Sequence, residues 1–307
     1  MFPTPEPFAR KQVRVHGAAG HAWLARLPDT LAACARRWDL TLGPPLPDLT
    51  WHYVAAAVRA DGTPVVVKAC SPTGELARQV AALRLCAGRG VARLLAEAPE
   101  HEVMLLERLL PGTPLTGVAD DEAATPIAIG VMRDYWRPVP LEHPFPSVAD
   151  WADDFDRLRR HLGSPGDPRL AALVEEARHL LGELLASAAP PVVLHGDFHH
   201  GNILSAGQRG WLAIDPKGLV GEPACEAGGS LLWNNLPDAA AGPGGACILA
   251  RRVAQMAIAL GIERERVRRW GFVQGVLAGT WSVGKGGRVG AWAIAHAERL
   301  AALADPG

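Results

Sequence analysis

Lysine is nearly missing from this chain. Of 31 basic residues in 307, only Lys11, Lys68, Lys217 and Lys285 are lysines, and the rest are arginine. A lysine inside an apolar run of so arginine-rich a sequence invites a specific reason, and Lys68, at the end of Val65-Val66-Val67, stands in such a place. Net charge is missing too: the 31 bases almost cancel 32 acids, so no global field draws in nucleic acid or an anionic membrane. The start, Met1 to Pro5, has neither a basic nor an apolar segment, and no run reaches the ~18 apolar residues of a spanning helix. The most apolar stretch, 246–260, is broken by Arg251 and Arg252. The expectation is a cytoplasmic protein with no nucleic-acid or membrane partner. The five cysteines are odd in number, scattered and without a CxxC pair, which argues against a disulfide framework or zinc site and for small core residues. No GxGxxG loop precedes Lys68.

What is present suits a globular chain. Apolar residues make up 49% and charged residues 21%, and the length allows two domains or one bilobal unit. Trp23, Leu24, Leu27, Leu31 and Cys34 follow helical spacing and end at the proline-rich turn 43–47. A hairpin follows: residues 51–58, the turn Asp61-Gly62, and the strand 65–68. A helix opened by Ser71-Pro72-Thr73-Gly74 carries Leu76, Val80 and Leu83 on one face, and strands are expected at 91–96 and 103–109. Beyond Leu110-Pro111-Gly112 the periodicity is helical, over 119–135, 147–161, 168–187, 246–260, 264–282 and 289–304. These patterns predict an α+β, bilobal chain. Residues 1–110 would form a small lobe of antiparallel sheet plus helix, and residues 111–307 a larger, mainly helical lobe.

One strand-like island interrupts the helical half. Val192-Val193-Leu194 runs into His195-Gly196-Asp197-Phe198-His199-His200-Gly201-Asn202, and Leu212-Ala213-Ile214 runs into Asp215. Two acids and an amide therefore converge at neighbouring strand ends. Phosphoryl transfer needs such a set, because the transferred group carries concentrated negative charge and a carboxylate must accept the proton of the attacking hydroxyl. An aspartate, an asparagine five residues on and a second aspartate on the next strand have the spacing of a kinase catalytic loop and metal-binding strand, and Lys68 would complete the set. The rival reading is a hydrolytic metal site built from His195, Asp197, His199 and His200, but the adjacent His199 and His200 cannot easily both turn inward.

The run from Leu194 to Asn202, with Trp211-Leu212-Ala213-Ile214-Asp215-Pro216-Lys217-Gly218 and on to Pro223, resembles the aminoglycoside phosphotransferase family, and more narrowly its streptomycin 6-kinase and hydroxyurea-kinase branch. The segments 81–85, 106–112 and Trp281-Ser282 are similar to it as well. The resemblance implies a protein-kinase-like fold and an ATP- and Mg²⁺-dependent O-phosphotransferase that inactivates an aminoglycoside, streptomycin first. Alternatives are a kinase of hydroxyurea or another small hydroxylated acceptor, and a non-catalytic nucleotide-binding pseudokinase. It also implies roles for residues. Asp197 would be the catalytic base, and Asn202 and Asp215 the magnesium ligands. Lys68 would contact the α- and β-phosphates, His195 would brace the loop, and the backbone of Leu106, Glu107 and Arg108 would form the hinge beside adenine. Lys217 is typical of the branch, in a phosphate-facing or structural role. Glu222, Glu226 and Asp154 are candidate contacts to a small cationic acceptor, although acids in the first turn of a helix, such as Asp150, Asp153 and Asp154, are also ordinary dipole partners. A monomer or weak homodimer is expected.

Two departures stand out. Kinases of this fold usually hold the strand lysine with a glutamate from the adjacent helix, and Gln79 occupies that position, with Glu75 one turn earlier. Trp233 stands in Leu231-Leu232-Trp233-Asn234 where the family pattern has an arginine.

Overall fold

The computed structural model describes residues 4–161, 168–236, 243–280 and 291–303. The expected loops around 163–168, 237–245 and 284–287, the Trp281-Ser282 segment and Lys285 fall wholly or partly outside them. The chain divides into two compact units, Met1–Gly112 with Ser205–Leu212, and Thr113–Leu204 with Ala213–Gly307.

The first unit opens with α1 (Glu6–Arg37), kinked at Gly17. It continues through β1 (Leu40–Pro45), β2 (Tyr53–Arg59), β3 (Pro64–Ala69), α2 (Leu76–Cys86), β4 (Leu94–Ala98) and β5 (Val103–Glu107). The sheet is antiparallel in the order β1-β2-β3-β5-β4. β1 is a strand where the proline-rich sequence predicts a turn. Pro44 and Pro45 are tolerated because β1 is an edge strand, where a missing N–H costs no ladder bond. Strand alternation sorts the two faces. Tyr53, Ala55 and Ala57 of β2, Val65, Val67 and Ala69 of β3, and Val103 and Leu105 of β5 join Phe8, Trp23, Leu27 and Leu31 of α1 in one core. Lys68, paired with Val54 on one side and Met104 on the other, belongs to the opposite face.

The second unit contains α3 (Asp121–Tyr135), β6 (Arg137–Pro138), α4 (Trp151–His161), α5 (Pro168–Ala186), β7 (Val192–Leu194) and β8 (Ile203–Ser205). After β9 (Trp211–Ala213) come β10 (Leu219–Gly221), α6 (Pro223–Ala227), α7 (Pro243–Leu260), α8 (Arg264–Thr280) and α9 (Ala291–Ala302). β10, β7 and β6 form a small antiparallel sheet, and β8 and β9 pair as a ribbon. α3 starts at Asp120, whose carboxylate accepts the N–H groups of Glu122 and Ala123 and so satisfies two orphan donors. α5 buries Leu170, Val174, Ala177, Leu181 and Leu184, a single face at alternating steps of four and three. α6 lies close against α8: a Cβ on Gly228 would come 2.5 Å from Trp270 Cβ and 2.7 Å from the Gly271 nitrogen, so the approach requires glycine there. Cys34, Cys70, Cys86 and Cys225 are buried, whereas Cys247 of α7 is exposed, which corrects its assignment to the core. Among the described residues no helix is long and apolar enough to cross a membrane.

Candidate functional site

In the first unit the centre is Lys68, 4% exposed. Its Nζ donates to Gln79 Oε1 at 2.7 Å. Gln79 is buried on α2, and its Nε2 lies 3.4 Å from both Glu75 Oε2 and His52 Nε2. His52 Nδ1 accepts the Ser71 N–H at 3.1 Å, and its Nε2 lies 3.7 Å from Glu75 Oε2. Lys68, Gln79, Glu75 and His52 thus form one cluster.

At the end of β5, Leu106 and Glu107 stay in the ladder opposite Val66 and Val65, and Arg108 follows the strand. The Glu107 side chain is committed elsewhere. Arg209 Nη1 reaches both of its oxygens at 2.5 Å, while Arg209 Nη2 donates to the Gly88 carbonyl. The Arg93 N–H donates to Glu107 at 3.0 Å. Burial alone would raise the Glu107 pKa, but the hydrogen bonds and charges of Arg209 and Arg93 outweigh it and lower the pKa. Arg209 carries no sequence signal, since its partner lies 102 residues away.

In the second unit the loop after β7 is locked at several points. His195 is fully buried; its Nε2 bonds the Ile214 carbonyl at 2.9 Å and its Nδ1 accepts the Asp197 N–H at 3.3 Å. Burial pushes the imidazole down to about 3, so the ring is a neutral brace. Both nitrogens are therefore used by the loop, and a hydrolytic metal site including His195 would dismantle it. Gly196 adopts φ 82°, and its position fits against Lys217, whose Cβ would lie 3.3 Å from an added Cβ. The Lys217 and Gly218 N–H groups both donate to the His195 carbonyl.

Asp197 is half-buried. Burial raises its pKa, opposed by His199 and Lys217 and assisted by Asp215. Asn202 Nδ2 donates to the Asp197 carbonyl at 2.9 Å, which fixes the amide and leaves Oδ1 as its acceptor. The Asn202 carbonyl accepts the Ile214 N–H at 2.8 Å, so the asparagine sits beside the end of β9. Asp215, at φ 60°, follows β9 in the left-handed region, and its Oδ2 is 3.4 Å from Lys217 Nζ. One carboxylate and one amide oxygen are hard donors, and they suit a magnesium ion, which commonly takes one or two carboxylates plus phosphate and water oxygens. His199 instead holds the turn, accepting the Gly201 N–H at 3.1 Å with Nε2 3.8 Å from Asp197. His200 is fully buried, and its pKa is pushed down to about 4 by burial and then by the Arg252 guanidinium.

Two acids offered as acceptor contacts prove to be interior. Glu222, 2% exposed, accepts from Arg266 (2.6 Å), Trp270 Nε1 (2.5 Å) and the Ala189 N–H (3.2 Å). Glu226, 5% exposed, accepts the Gly196 N–H at 2.9 Å and Trp136 Nε1 at 2.8 Å. Neither reads as loop charge turned toward a cationic ligand: Glu222 ties α6 to α8, and Glu226 ties α6 to the loop after β7. Asp154 pairs with Arg157 one turn along α4, and Asp150 completes a capping box with Ser147, so these acids serve the start of their own helix. A cavity of about 40 Å³, with Gly196, Phe198, Trp151, Trp233 and Gln274 in its wall, lies beside Glu226. It has room for a few waters rather than for a sugar. Trp233 is a packed wall residue, and the guanidinium near this segment comes from Arg252 of α7. That side chain is wholly buried and donates to the carbonyls of Leu231, Leu232, Asn234 and Asn235 and to Asp121.

Residues 44–286 match the aminoglycoside/hydroxyurea antibiotic resistance kinase family. Streptomycin 6-kinase of Streptomyces glaucescens is 31% identical over 92% of this chain and 91% of its own. Hydroxyurea phosphotransferase of Kitasatospora aureofaciens is 32% identical over 98% and 84%. Among solved structures, a choline/ethanolamine kinase family protein from Mesorhizobium loti superimposes with a TM-score of 0.65 at 18% identity, covering 92% of this chain and 95% of that one. The fold is accordingly the α+β protein-kinase-like one. By the extent of the match and the identity of its relatives, the chain is a phosphotransferase and belongs to the aminoglycoside/hydroxyurea antibiotic resistance kinase family.

Proposed function

We propose that the protein transfers the γ-phosphoryl group of ATP, in the presence of Mg²⁺, to a hydroxyl of an aminoglycoside, namely the 6-hydroxyl of streptomycin. The observation that carries this reading is the locked backbone around Asp197. His195 makes two of the bonds that hold this loop, the Gly196 N–H donates a third to Glu226 and Asn202 makes a fourth, and the loop has no other evident reason to be so rigid. Rigidity of this kind is what phosphoryl transfer asks of a protein, because catalysis there is mostly positioning and electrostatics.

Asp197 accepts the proton of the acceptor hydroxyl, a task suited to a carboxylate whose proton affinity is raised by burial. Asn202 Oδ1 and Asp215 hold the metal. Lys217 moderates the negative charge beside Asp215, and Lys68 orients the α- and β-phosphates. The backbone of Leu106, Glu107 and Arg108 receives the adenine, and Arg209 keeps that strand end in place through Glu107. When bound, Mg-ATP supplies the phosphoryl group and offsets its charge. The streptomycin kinase relative supports the acceptor assignment, and the equally similar hydroxyurea phosphotransferase makes hydroxyurea the second acceptor to try.

The test is mass spectrometry of streptomycin incubated with the protein and Mg-ATP. One added phosphoryl group is expected, lost in Asp197→Ala. Turnover of hydroxyurea or another alcohol but never of streptomycin would sink the acceptor assignment. Stabilisation by Mg-ATP with no acceptor ever phosphorylated would replace the kinase reading by a non-catalytic one.

A further inference from the structure

Gln12 is a polar residue in a buried place. It lies on α1 before the Gly17 kink and is 1% exposed. Its Nε2 donates to the Trp51 carbonyl at 3.0 Å, whereas its Oε1 has no hydrogen-bond partner among the described residues. An unpaired buried amide oxygen is costly, and a leucine of similar size would avoid that cost. What the amide adds is the bond to Trp51. Phe8, Lys11 and Gln12, three and four residues apart, share one face of the helix. The Phe8 ring meets the Tyr53 ring edge-on at 6.3 Å, and Lys11 Nζ lies 4.0 Å from the centre of the Trp51 ring. Glycine at position 20 lets the two parts of α1 close on each other, since a Cβ there would come within 2.4 Å of the Gln12 carbonyl oxygen.

The residue between Trp51 and Tyr53 turns the other way. His52, 4% exposed, accepts the Ser71 N–H on Nδ1 at 3.1 Å, and its Nε2 is 3.4 Å from Gln79 Nε2. Gln79 in turn holds Lys68 Nζ. Strand alternation continues the pattern, with Val54 on the His52 side and directly opposite Lys68. So α1 grips the chain at positions 51 and 53, and the lysine cluster meets it at position 52. We propose that the first part of α1, residues 6–16, is a backing plate whose Gln12–Trp51 bond sets His52 against the Lys68 cluster, so that a helix remote from the chemistry helps to position the lysine. Gln12 is then a positioning residue, and its consequence for nucleotide rests on the ATP reading above.

The test is hydrogen exchange at the Ser71 amide, which bonds the far side of His52 and touches no part of Gln12's own bond. Two variants loosen the plate in different ways. Gln12→Leu removes the donor while keeping the bulk, and Gly20→Ala pushes the backbone at Gln12 without altering its amide. In each, Ser71 should exchange about tenfold faster, while amides of the β3–β5 ladder keep their rates. With acceptor saturating, kcat/KM for ATP should fall about threefold in Gln12→Leu, chiefly through KM. An unchanged Ser71 rate in folded Gln12→Leu overturns the proposal. So does an equal acceleration of Ser71 and the ladder, which would mean that Gln12 serves general packing alone. An unchanged KM would overturn the link to nucleotide. Should the original protein bind no ATP, the ATP reading fails while the exchange rates still decide the role of α1.

Discussion

Replacing Glu226 by glutamine should flatten the pH dependence of stability, and the size of the effect follows from its surroundings. The carboxyl is 5% exposed, and burial raises its pKa from 4.5 to about 7, against the opposing pull of the Gly196 N–H and the Trp136 indole. A folded pKa above the unfolded one means that the native state holds a proton the unfolded chain has released. Stability from this group is thus complete below pH 4.5, erodes as pH rises, and is gone above about 7. At ~1.4 kcal/mol per pH unit across that window the loss is about 3 kcal/mol. The buried imidazoles of His195 and His200, with pKa values lowered to about 3 and about 4, work in the opposite direction: their stability is lost as pH falls below 6.5. They remain in both proteins, so the difference between the two profiles isolates Glu226. Urea unfolding at pH 5, 6, 7 and 8 measures it, with the gap between Glu226→Gln and the original expected to shift in favour of the variant by about 2.5 kcal/mol from pH 5 to pH 8, since part of the loss has already occurred at pH 5. Parallel profiles would refute the reasoning, whatever the offset between them, because the offset contains only the bonds to Gly196 and Trp136.

Arg252→Met should lower the unfolding free energy by about 3–5 kcal/mol, since it strands the carbonyls of Leu231, Leu232 and Asn234 in a buried site and leaves the carboxylate of Asp121 to Arg251 alone; urea titration reads this, and a loss under 1 kcal/mol would contradict it. Arg209→Ala removes a bifurcated bond from one guanidinium nitrogen to both oxygens of Glu107, only partly shielded from water, and should cost about 1–3 kcal/mol, seen as a lower melting temperature that 1 M salt does not reproduce in the original. Gly196→Ala forces an L-residue to φ 82° against Lys217. At about 1–2 kcal/mol for the left-handed region the fold survives, while phosphoryl transfer should fall by at least tenfold, as measured by product formation at saturating acceptor.

Much of this was legible in the residues themselves. The hairpin of β2 and β3, the α2 face and the loop from His195 to Asp215 each carry a local pattern: alternation, a turn dipeptide, or acids and an amide at strand ends. Where the deciding partner is remote, the pattern falls silent. Pro44 and Pro45 read as a break because nothing local says that β1 lies at an edge. Glu222 and Glu226 read as candidate contacts to a cationic acceptor because their partners, Arg266, Trp270 and Trp136, are 44, 48 and 90 residues away. Arg252 looks like an interruption of an apolar run until Asp121, 131 residues earlier, is seen to accept from it. Burial of a charge is a property of the fold rather than of its neighbours in sequence, so the bracing role of His195 could be expected in advance and that of Glu226 could not.

The membership of residues 205–212 in the first unit bears on how the protein is made. A polypeptide leaving the ribosome completes α1, the sheet and α2 by Gly112, yet Arg209, which closes the Glu107 end of β5, emerges about a hundred residues later. At ~5–20 residues per second that is a wait of roughly 5–20 s, during which the Glu107 carboxylate of the nascent first unit has Arg93 but not yet Arg209. No single cut in the chain separates the two units, for the backbone crosses between them after Gly112, after Leu204 and again after Leu212. A fragment ending at Gly112 is therefore an unfinished object, and it should need the 205–212 segment supplied in trans before it behaves as a stable fold.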